Sequence, residues 1–382
     1  MQLRPAFSLL LLSSLYWALI ALSTGGASAQ DWLDQTPSPD DVRIDDARID
    51  NIRIDDAHIA VILPLQSPSF GRHADSVRLG VLNAAGFAPW DIPPVRVYAT
   101  TDDAQQILDA YQRAAGSGAR AVIGPLTRNG VTALAYSGLV SVPTLALNVP
   151  DGSTPLPRNL HVFGLQIEAE VRQVAKMALR DGRRKIFLVS GETVLGGRIT
   201  QAFADEWYSL KAEVAGEFVY TTESAALATL REQVVKSAAD AVFMAVDAPR
   251  ARFIRAFLGS QLPIYATSLV FVSNELTLAN YDLEGVRFLD MPWLLQPDHP
   301  AVMTYLSQDG PLPALDQERF YALGIDAYRI VQELLRPYQR METLDGVTGT
   351  IAPTAEQHFT RTLVPAQFSG GQARPLDPRQ DR

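Results

Sequence analysis

The sequence predicts an α/β protein built from two doubly wound parallel-sheet lobes with a cleft between them. From His58 onwards, short apolar runs alternate with segments of helical length and periodicity. This alternation restarts after residue 165, which indicates a second sheet built like the first. The chain has 382 residues, of which 47% are hydrophobic and 20% charged, so it is long enough for two such lobes.

The first 29 residues have the composition of a secretory signal peptide. Arg4 precedes an apolar run, and small residues follow it up to Ala29. Cleavage is expected before Gln30, which predicts an exported, periplasmic protein. An uncleaved membrane anchor is the alternative, because the apolar run is near the short end of a spanning helix.

Residues 30–57 are predicted to be an Asp-rich linker with a five-residue repeat. Isoleucine recurs at every fifth position, at Ile44, Ile49, Ile54 and Ile59. A solenoid needs several complete coils to bury a continuous core, and the repeat supplies at most one. We therefore interpret it as a solvated tether or a short edge strand that leads into the first strand of lobe 1.

The first lobe begins with "HIAVILPL", a continuous apolar run typical of a strand buried on both faces. The next segment places Val77, Val81 and Leu82 on one side of a helix, and another helix begins at Asp102 with Asp caps at its start. Strands are predicted at 58–65, 94–101, 121–126, 142–148 and 159–165. Helices are predicted at 72–85, 102–115 and 128–139.

The second lobe repeats this order. Helices are predicted at 168–180, 198–210, 225–237 and 250–258, and strands at 185–192, 213–221, 241–247 and 263–269. The segment "GVRFLDMPWLL" (285–295), a helix over 318–335 and a hairpin around "GVTGTIAP" and "AQFSGGQARPL" complete the chain. Trp293 either packs in the core or is an exposed interface aromatic.

Composition excludes several classes of function. The net charge of −9 argues against nucleic acid and anionic membrane surfaces as partners. The chain contains no cysteine, which excludes disulfides, zinc–thiolate sites, thiol nucleophiles and lipid attachment through cysteine. We found no dinucleotide-binding glycine motif, P-loop or serine-nucleophile elbow, and the five histidines show no metal-ligand spacing. We therefore predict no catalytic residue, no cofactor and no metal.

The ligand-cleft candidates are polar residues that follow predicted strands. In open parallel sheets, ligands bind outside the carboxyl ends of the strands, and the start of a helix suits an anionic or polar group. Helix capping is the alternative role for each of these side chains. The candidates are Ser67, Ser69, Thr127, Asn148, Glu192, Thr193, Asp247, Thr267 and Ser268.

Several segments resemble a known family. "IAVILPLQSPSFGRHADSVRLGVLNA", "AVIGPLTRNGV" and "VPTLALN" resemble the first lobe of type 1 periplasmic binding proteins, the fold of branched-chain amino acid receptors. "AVFMAVDAPRARFIRAFL", "LPIYATSLVF", "DLEGVRFLDMPWLL", "RFYALGIDAYRIVQEL" and "LDGVTGTIAP" are more similar to the LppC/LpoA family of penicillin-binding protein activators. The resemblance covers roughly residues 59–376.

This resemblance implies a non-catalytic cleft protein that binds and stimulates a peptidoglycan synthase, a penicillin-binding protein. It also implies that the chain crosses between lobes near residues 165, 270 and 337. Lobe 1 is then expected to comprise 58–165 plus 271–337, and lobe 2 to comprise 166–270 plus 338–376.

The sequence departs from the resembled families at two points. Members of the activator family are typically lipoproteins with an N-terminal helical-repeat domain, whereas this sequence has no cysteine for lipidation and no such domain between Gln30 and Ile59. The alternative function is a solute-binding receptor of an ABC transporter for amino acids or similar small polar ligands. "LNVPDG" lacks the Ser/Thr-rich run with which amino acid receptors hold an α-amino acid, which weakens that alternative.

Overall fold

The computed structural model describes residues 56–152, 155–221, 224–306, 317–336 and 342–376. The signal peptide and almost all of the Asp-rich linker predicted from the sequence lie outside these residues. Within these five ranges, no helix combines the length and the apolar character that a bilayer crossing requires.

Lobe 1 contains a five-stranded parallel sheet with the strand order β2-β1-β3-β4-β5. Its elements are β1 (His58–Leu63), α1 (Gly71–Gly86), β2 (Val95–Ala99), α2 (Ala104–Gly116), β3 (Ala119–Ile123), α3 (Arg128–Tyr136), β4 (Thr144–Ala146) and β5 (Leu160–Val162). Both faces of β1 are buried. Val61 belongs to the apolar cluster with α1, whereas Ile62 belongs to the cluster with α2 and α3.

Lobe 2 starts with the same alternation of helices and strands. Its elements are α4 (Ile167–Arg180), β6 (Lys185–Gly191), α5 (Val194–Ser209), β7 (Glu213–Tyr220), α6 (Ser224–Ser237), β8 (Ala241–Ala245), α7 (Ala248–Leu258), β9 (Ile264–Ala266), α8 (Thr277–Tyr281) and β10 (Arg287–Asp290). A 3₁₀ turn, Ser268–Val270, follows β9. Apolar clusters cover both faces of this sheet too, so the predicted class of two doubly wound lobes is confirmed.

The remaining elements serve both lobes. They are α9 (Pro292–Leu295), α10 (Pro300–Leu306), α11 (Glu318–Leu335), β11 (Leu344–Gly346), β12 (Gly349–Pro353), β13 (Phe359–Thr362), β14 (Val364–Ser369) and β15 (Gln372–Pro375). The lobe 2 sheet has the order β15-β14-β10-β9-β8-β6-β7, and β14 and β15 are its antiparallel strands. The expected single hairpin is instead a separate three-stranded sheet, β11-β12-β13, followed by the β14–β15 hairpin.

The chain crosses between lobes later than the resemblance implied at two of three points. β10 pairs parallel with β9 and antiparallel with β14, so residues 287–290 belong to the lobe 2 sheet rather than to lobe 1. The next residue, Met291, is buried in the lobe 1 core. Val347, Ile351 and Phe359 of the three-stranded sheet also pack in that core, which puts the last crossing just before β14 rather than near residue 337.

Helices α1 and α11 pack so closely that two glycines are required at their contact. A Cβ on Gly80 would lie 2.0 Å from the carbonyl oxygen of Tyr321, and a Cβ on Gly324 would lie 2.1 Å from that of Val77. Any side chain would push the helices apart, so this contact fixes α11 to lobe 1.

Asp326 on α11 holds the turn between β11 and β12. Its carboxylate is fully buried and accepts hydrogen bonds from Val347 N at 3.1 Å, Thr348 N at 2.7 Å and Thr348 Oγ1 at 2.7 Å. Arg329 Nη1 lies 3.0 Å from the same carboxylate. The segments "ALGIDAYR" and "LDGVTGTIAP" are thus the two sides of one contact.

Trp293 packs in the core, as the first of its two interpretations predicts. Only 6% of its surface is exposed, its ring lies 5.4 Å from that of Tyr321, and its Nε1 donates to Glu318 Oε2 at 3.2 Å.

The structure adds three short helices that the sequence did not predict, α8, α9 and α10, and starts α5 at Val194 rather than Arg198.

Candidate functional site

A cavity of about 460 Å³ lies between the lobes at the carboxyl ends of the strands, and we call it the cleft cavity. Lobe 1 contributes residues after β3, β4 and β5. Lobe 2 contributes the start of α4 and the residues after β9 and β10. Its polar and charged lining residues are Arg128, Asn148, Gln166, Glu168, Glu170, Arg198, Ser268, Asp290, Arg319 and Arg361.

The floor of this cavity is a charged group that we call the junction cluster: Glu170, Ser268, Asp290, Arg319 and Arg361. Glu170 on α4 holds the turn after β9, since its carboxylate accepts from Ser268 N at 2.5 Å and from Ser268 Oγ at 2.9 Å. Both side chains are buried. The Ser268 hydroxyl therefore fixes the turn against α4.

Arg319 connects the two lobes through the same cluster. It lies on α11, which packs in lobe 1, and its guanidinium pairs with Asp290 at the end of β10 in lobe 2, with Nε 3.2 Å from Oδ1. Its Nη2 also donates to the carbonyl oxygens of Phe271 at 2.9 Å and Ser268 at 3.2 Å. The guanidinium thus satisfies a buried carboxylate and two backbone acceptors of lobe 2 at once.

Burial dominates the electrostatics of the cluster. Burial raises the pKa of Glu170 to about 7, and the negative charge of Asp290 adds to this effect. Burial also lowers the pKa of Arg361, against the attraction of Glu170 and Asp290. For Arg319, burial acts to lower the pKa, but the pairing with Asp290 outweighs it and the pKa is raised. A pKa of about 7 means that the charge of Glu170 changes near neutral pH.

The rim of the cavity carries more exposed ion pairs. Arg198 on α5 pairs with Glu168 on α4, with Nε 3.0 Å from Oε1. Burial acts to raise the pKa of Glu168, but a backbone hydrogen bond and Arg198 lower it below its ordinary value. On the lobe 1 side, Arg128 Nη1 lies 3.4 Å from Asp151. The rim is thus polar and suited to a small polar or charged group.

Two of the nine candidates predicted from the sequence line the cleft cavity, Asn148 and Ser268. Asn148 is engaged with its own loop, since Nδ2 donates to Leu126 O at 3.2 Å and Oδ1 accepts from Val149 N at 3.0 Å. Thr267 is fully buried, and its hydroxyl has no hydrogen-bond partner among the described residues.

Three other candidates cap helices: Thr127, Thr193 and Asp247 accept from the backbone N–H three residues ahead at 3.3, 2.9 and 3.1 Å. These oxygens satisfy N–H groups that a helix start leaves without a partner. Ser67 instead bonds within the turn before α1, where its Oγ accepts from Phe70 N at 3.2 Å. The last two candidates, Ser69 and Glu192, are exposed and do not line the cavity.

Sequence reasoning missed the members of the junction cluster other than Ser268. Glu170, Arg319 and Arg361 lie within helices or strands rather than after strands, so the strand-end rule passes over them. A charged residue on the otherwise apolar face of a helix is the sequence signal that could have identified one of them, since Glu170 lies among the buried positions of α4. Within the described ranges, no group of three or more His, Asp or Glu side chains is placed to hold a metal ion.

Comparisons with known proteins give a family and two kinds of structural neighbour. The family model described as "LppC putative lipoprotein" matches residues 27–371. A protein named penicillin-binding protein activator LpoA, from Dickeya chrysanthemi, is 27% identical over an alignment of 331 residues, and the match covers 74% of this chain and 47% of that protein. The chain thus spans about half the length of the curated relatives it matches.

Two solved structures share the fold. One, entitled "Structure of a putative branched-chain amino acid ABC transporter", from Chromobacterium violaceum, has a TM-score of 0.68 at 35% identity and covers 81% of this chain and 99% of its own. The other, the LpoA (YraM) C-domain from Haemophilus influenzae, is described as a regulator of PBP1A. It has a TM-score of 0.69 at 23% identity and covers 84% of this chain and 100% of its own.

Proposed function

The chain belongs to the LppC family, and from this premise we propose that it is a non-catalytic periplasmic activator that binds and stimulates a peptidoglycan synthase of the penicillin-binding protein class. The observation that carries the proposal is the match of 74% of the chain to a relative named as such an activator. The matched region also aligns with the whole of a C-domain described as a regulator of PBP1A.

The cleft supports a binding role rather than a chemical one. Arg319, Asp290, Glu170 and Ser268 are bonded to one another or to backbone carbonyls, so the floor of the cavity joins the lobes. Such a bonded floor stabilises one arrangement of the lobes, which suits a protein whose outer surface docks on a partner.

A solute-binding receptor of an ABC transporter is the second candidate. It is favoured by the 35% identity to the Chromobacterium structure, whose title names a branched-chain amino acid transporter. The engagement of the Ser67, Thr127 and Thr193 hydroxyls counts against it, because they already accept backbone hydrogen bonds.

The first experiment is direct binding of the chain to the bifunctional penicillin-binding proteins of the same organism, with glycan polymerisation and crosslinking measured in parallel. The activator function predicts saturable binding and a higher rate of polymerisation or crosslinking. Transient complexes still form at about ten micromolar, so the absence of binding at that concentration would contradict the activator function.

A thermal-stability panel of amino acids and small peptides tests the second candidate. A receptor gains stability as the ligand concentration rises above its dissociation constant. The matched variant is Arg198→Ala, which removes a cation from the rim of the cleft cavity. A ligand-induced gain that this variant loses would favour the receptor.

A further inference from the structure

A second polar pocket lies at the other end of lobe 2, and we call it the distal pocket. It has a volume of about 410 Å³, and its lining includes Arg183, Arg255, Gln261, Gly285, Arg287 and Gln367. It opens beside the amino ends of β9 and β10, whereas the cleft cavity lies beyond their carboxyl ends. Strands of this length separate the two sites by about 10 Å or more.

The donors on one wall of the distal pocket are held in place. Arg287 Nη1 lies 2.8 Å from Asp181 Oδ2, which also accepts from the Tyr265 hydroxyl at 2.7 Å. Arg287 Nε donates to Gln367 Oε1 at 3.3 Å. Because this bond engages the amide oxygen of Gln367, its amide nitrogen is the atom available as a donor.

Arg255 forms the opposite wall. Its Nε and Nη2 donate to Glu284 O at 3.1 and 2.8 Å, and Nη1 donates to Gly259 O. A guanidinium has five N–H groups, so these bonds fix its plane and leave two N–H groups beyond those named.

Gly285 leaves an open point between the two walls. Gly285 has a φ of +82°, and a Cβ built on it would lie 3.9 Å from Arg255 Nη2 and 4.0 Å from Gln367 Nε2, with no closer neighbour. Two nitrogen donors therefore converge on a space that a small group can occupy.

Arg183 supplies a third cation to the same pocket. Its Nε is buried and has no hydrogen-bond partner among the described residues. A buried cationic donor without an acceptor is costly, and the positive charge of this guanidinium favours an anion in the pocket that Arg183 lines. Three guanidiniums here face the two carboxylates of Asp181 and Glu284, which leaves a net positive charge.

We propose that the distal pocket binds an oxyanion, a carboxylate or a phosphate group, between Arg183, Arg255 and Gln367. The site is separate from the cleft cavity and does not depend on the proposed activator function. Arginine suits this chemistry because its planar donors match both kinds of oxyanion.

The test is titration of the full chain with inorganic phosphate and, separately, with succinate, at constant ionic strength set by sodium chloride. Binding is followed by calorimetry and by the midpoint of thermal unfolding. Saturable binding of either anion below about 20 mM supports the site, and the preferred anion identifies its class. No saturation with either anion over that range would overturn the proposal.

Two variants assign the binding to this pocket. Arg183→Gln is expected to weaken affinity at least about tenfold, the effect of losing one charge-assisted hydrogen bond. Gly285→Asn keeps all three arginines, tolerates a positive φ and fills the open point, and is expected to weaken affinity as much. Arg250→Gln, on the same helix as Arg255 but outside the pocket, should leave affinity unchanged. Equal affinity in all four proteins would overturn the proposal.

Discussion

The loops at the strand ends and the junction cluster use polar side chains in different ways. At the strand ends, Thr127, Thr193 and Asp247 bond to a backbone N–H only three residues away. In the junction cluster, Glu170 bonds to Ser268 across 98 positions of sequence, and Arg319 to Asp290 across 29. Polar side chains at the strand ends therefore finish single helices, whereas those at the junction position one lobe against the other.

Two Arg–Asp pairs make this difference measurable. The pair of Arg250 with Asp247 is exposed by 43% and 44%, and the pair of Arg319 with Asp290 by 23% and 2%. Solvent screens the first pair, whereas loss of one partner of the second leaves a buried charge without compensation.

The largest expected effect is that of Arg319→Met. This change leaves the buried Asp290 carboxylate without its paired cation, with Met291 N still donating to Oδ1, and removes the donor of the Phe271 carbonyl. We expect the free energy of unfolding to fall by about 3–5 kcal/mol. The matched control, Arg250→Met, should change it by less than about 1 kcal/mol. Urea denaturation of both variants measures the difference. Equal losses of stability in the two variants would show that the buried Arg319–Asp290 pair contributes no more to stability than the exposed Arg250–Asp247 pair.

The next largest effect concerns pH and Glu170. Because the folded-state pKa is raised from 4.5 to about 7, the native state holds a proton that the unfolded state has lost between these values. The stability contributed by this group is therefore fully present below pH 4.5 and is lost as pH rises towards 7. The loss amounts to about 3 kcal/mol, at roughly 1.4 kcal/mol per pH unit.

Glu170→Gln should abolish this slope, because glutamine resembles the protonated acid. The variant is expected to match the parent chain near pH 4.5 and to exceed its stability at pH 8, as measured by urea denaturation across that range. Glu168→Gln is the control. The pKa of Glu168 is lowered rather than raised, so this change should give no gain at pH 8. A gain in both variants would rule out the assignment to Glu170.

The smallest effects are expected at the strand ends. Thr127→Ala and Thr193→Ala each remove one capping acceptor, which costs about 1 kcal/mol. Ser69→Ala, at an exposed position outside the cleft cavity, should change stability by less than about 0.5 kcal/mol. Thermal unfolding of the three variants without ligand checks this order. A loss of several kcal/mol at Thr127 would mean that this side chain does more than cap α3.

Much of the fold could be predicted because its signals are local. The run "HIAVILPL" predicts a buried strand, and Asp103 caps α2 at the helix start where Asp caps are predicted. Thr127 and Asp247 are recognisable in the sequence as polar residues at helix starts, but the sequence does not distinguish a capping bond within the loop from a ligand contact. A hydroxyl before a helix looks the same in sequence whether it caps or binds.

The crossings between lobes could not be predicted from the same signals. A strand such as β10 has the same apolar pattern whichever sheet it joins, and its place is decided by pairing with β9 and β14. The glycines of α1 and α11 likewise look like weak helix formers until Gly80 and Gly324 are seen in contact with the opposite backbone.

The alternation of strands and helices, the two-lobed class and the family follow from the sequence alone, because periodicity and short segments are read along the chain. Where the chain changes lobes and which charges line the cleft depend on how distant segments pack. Glu170, Asp290 and Arg319 stand far apart in sequence, and the raised pKa of Glu170 and the pairing of Arg319 with Asp290 arise from burial in a shared site. Burial depends on the packing of distant segments, which no local pattern encodes.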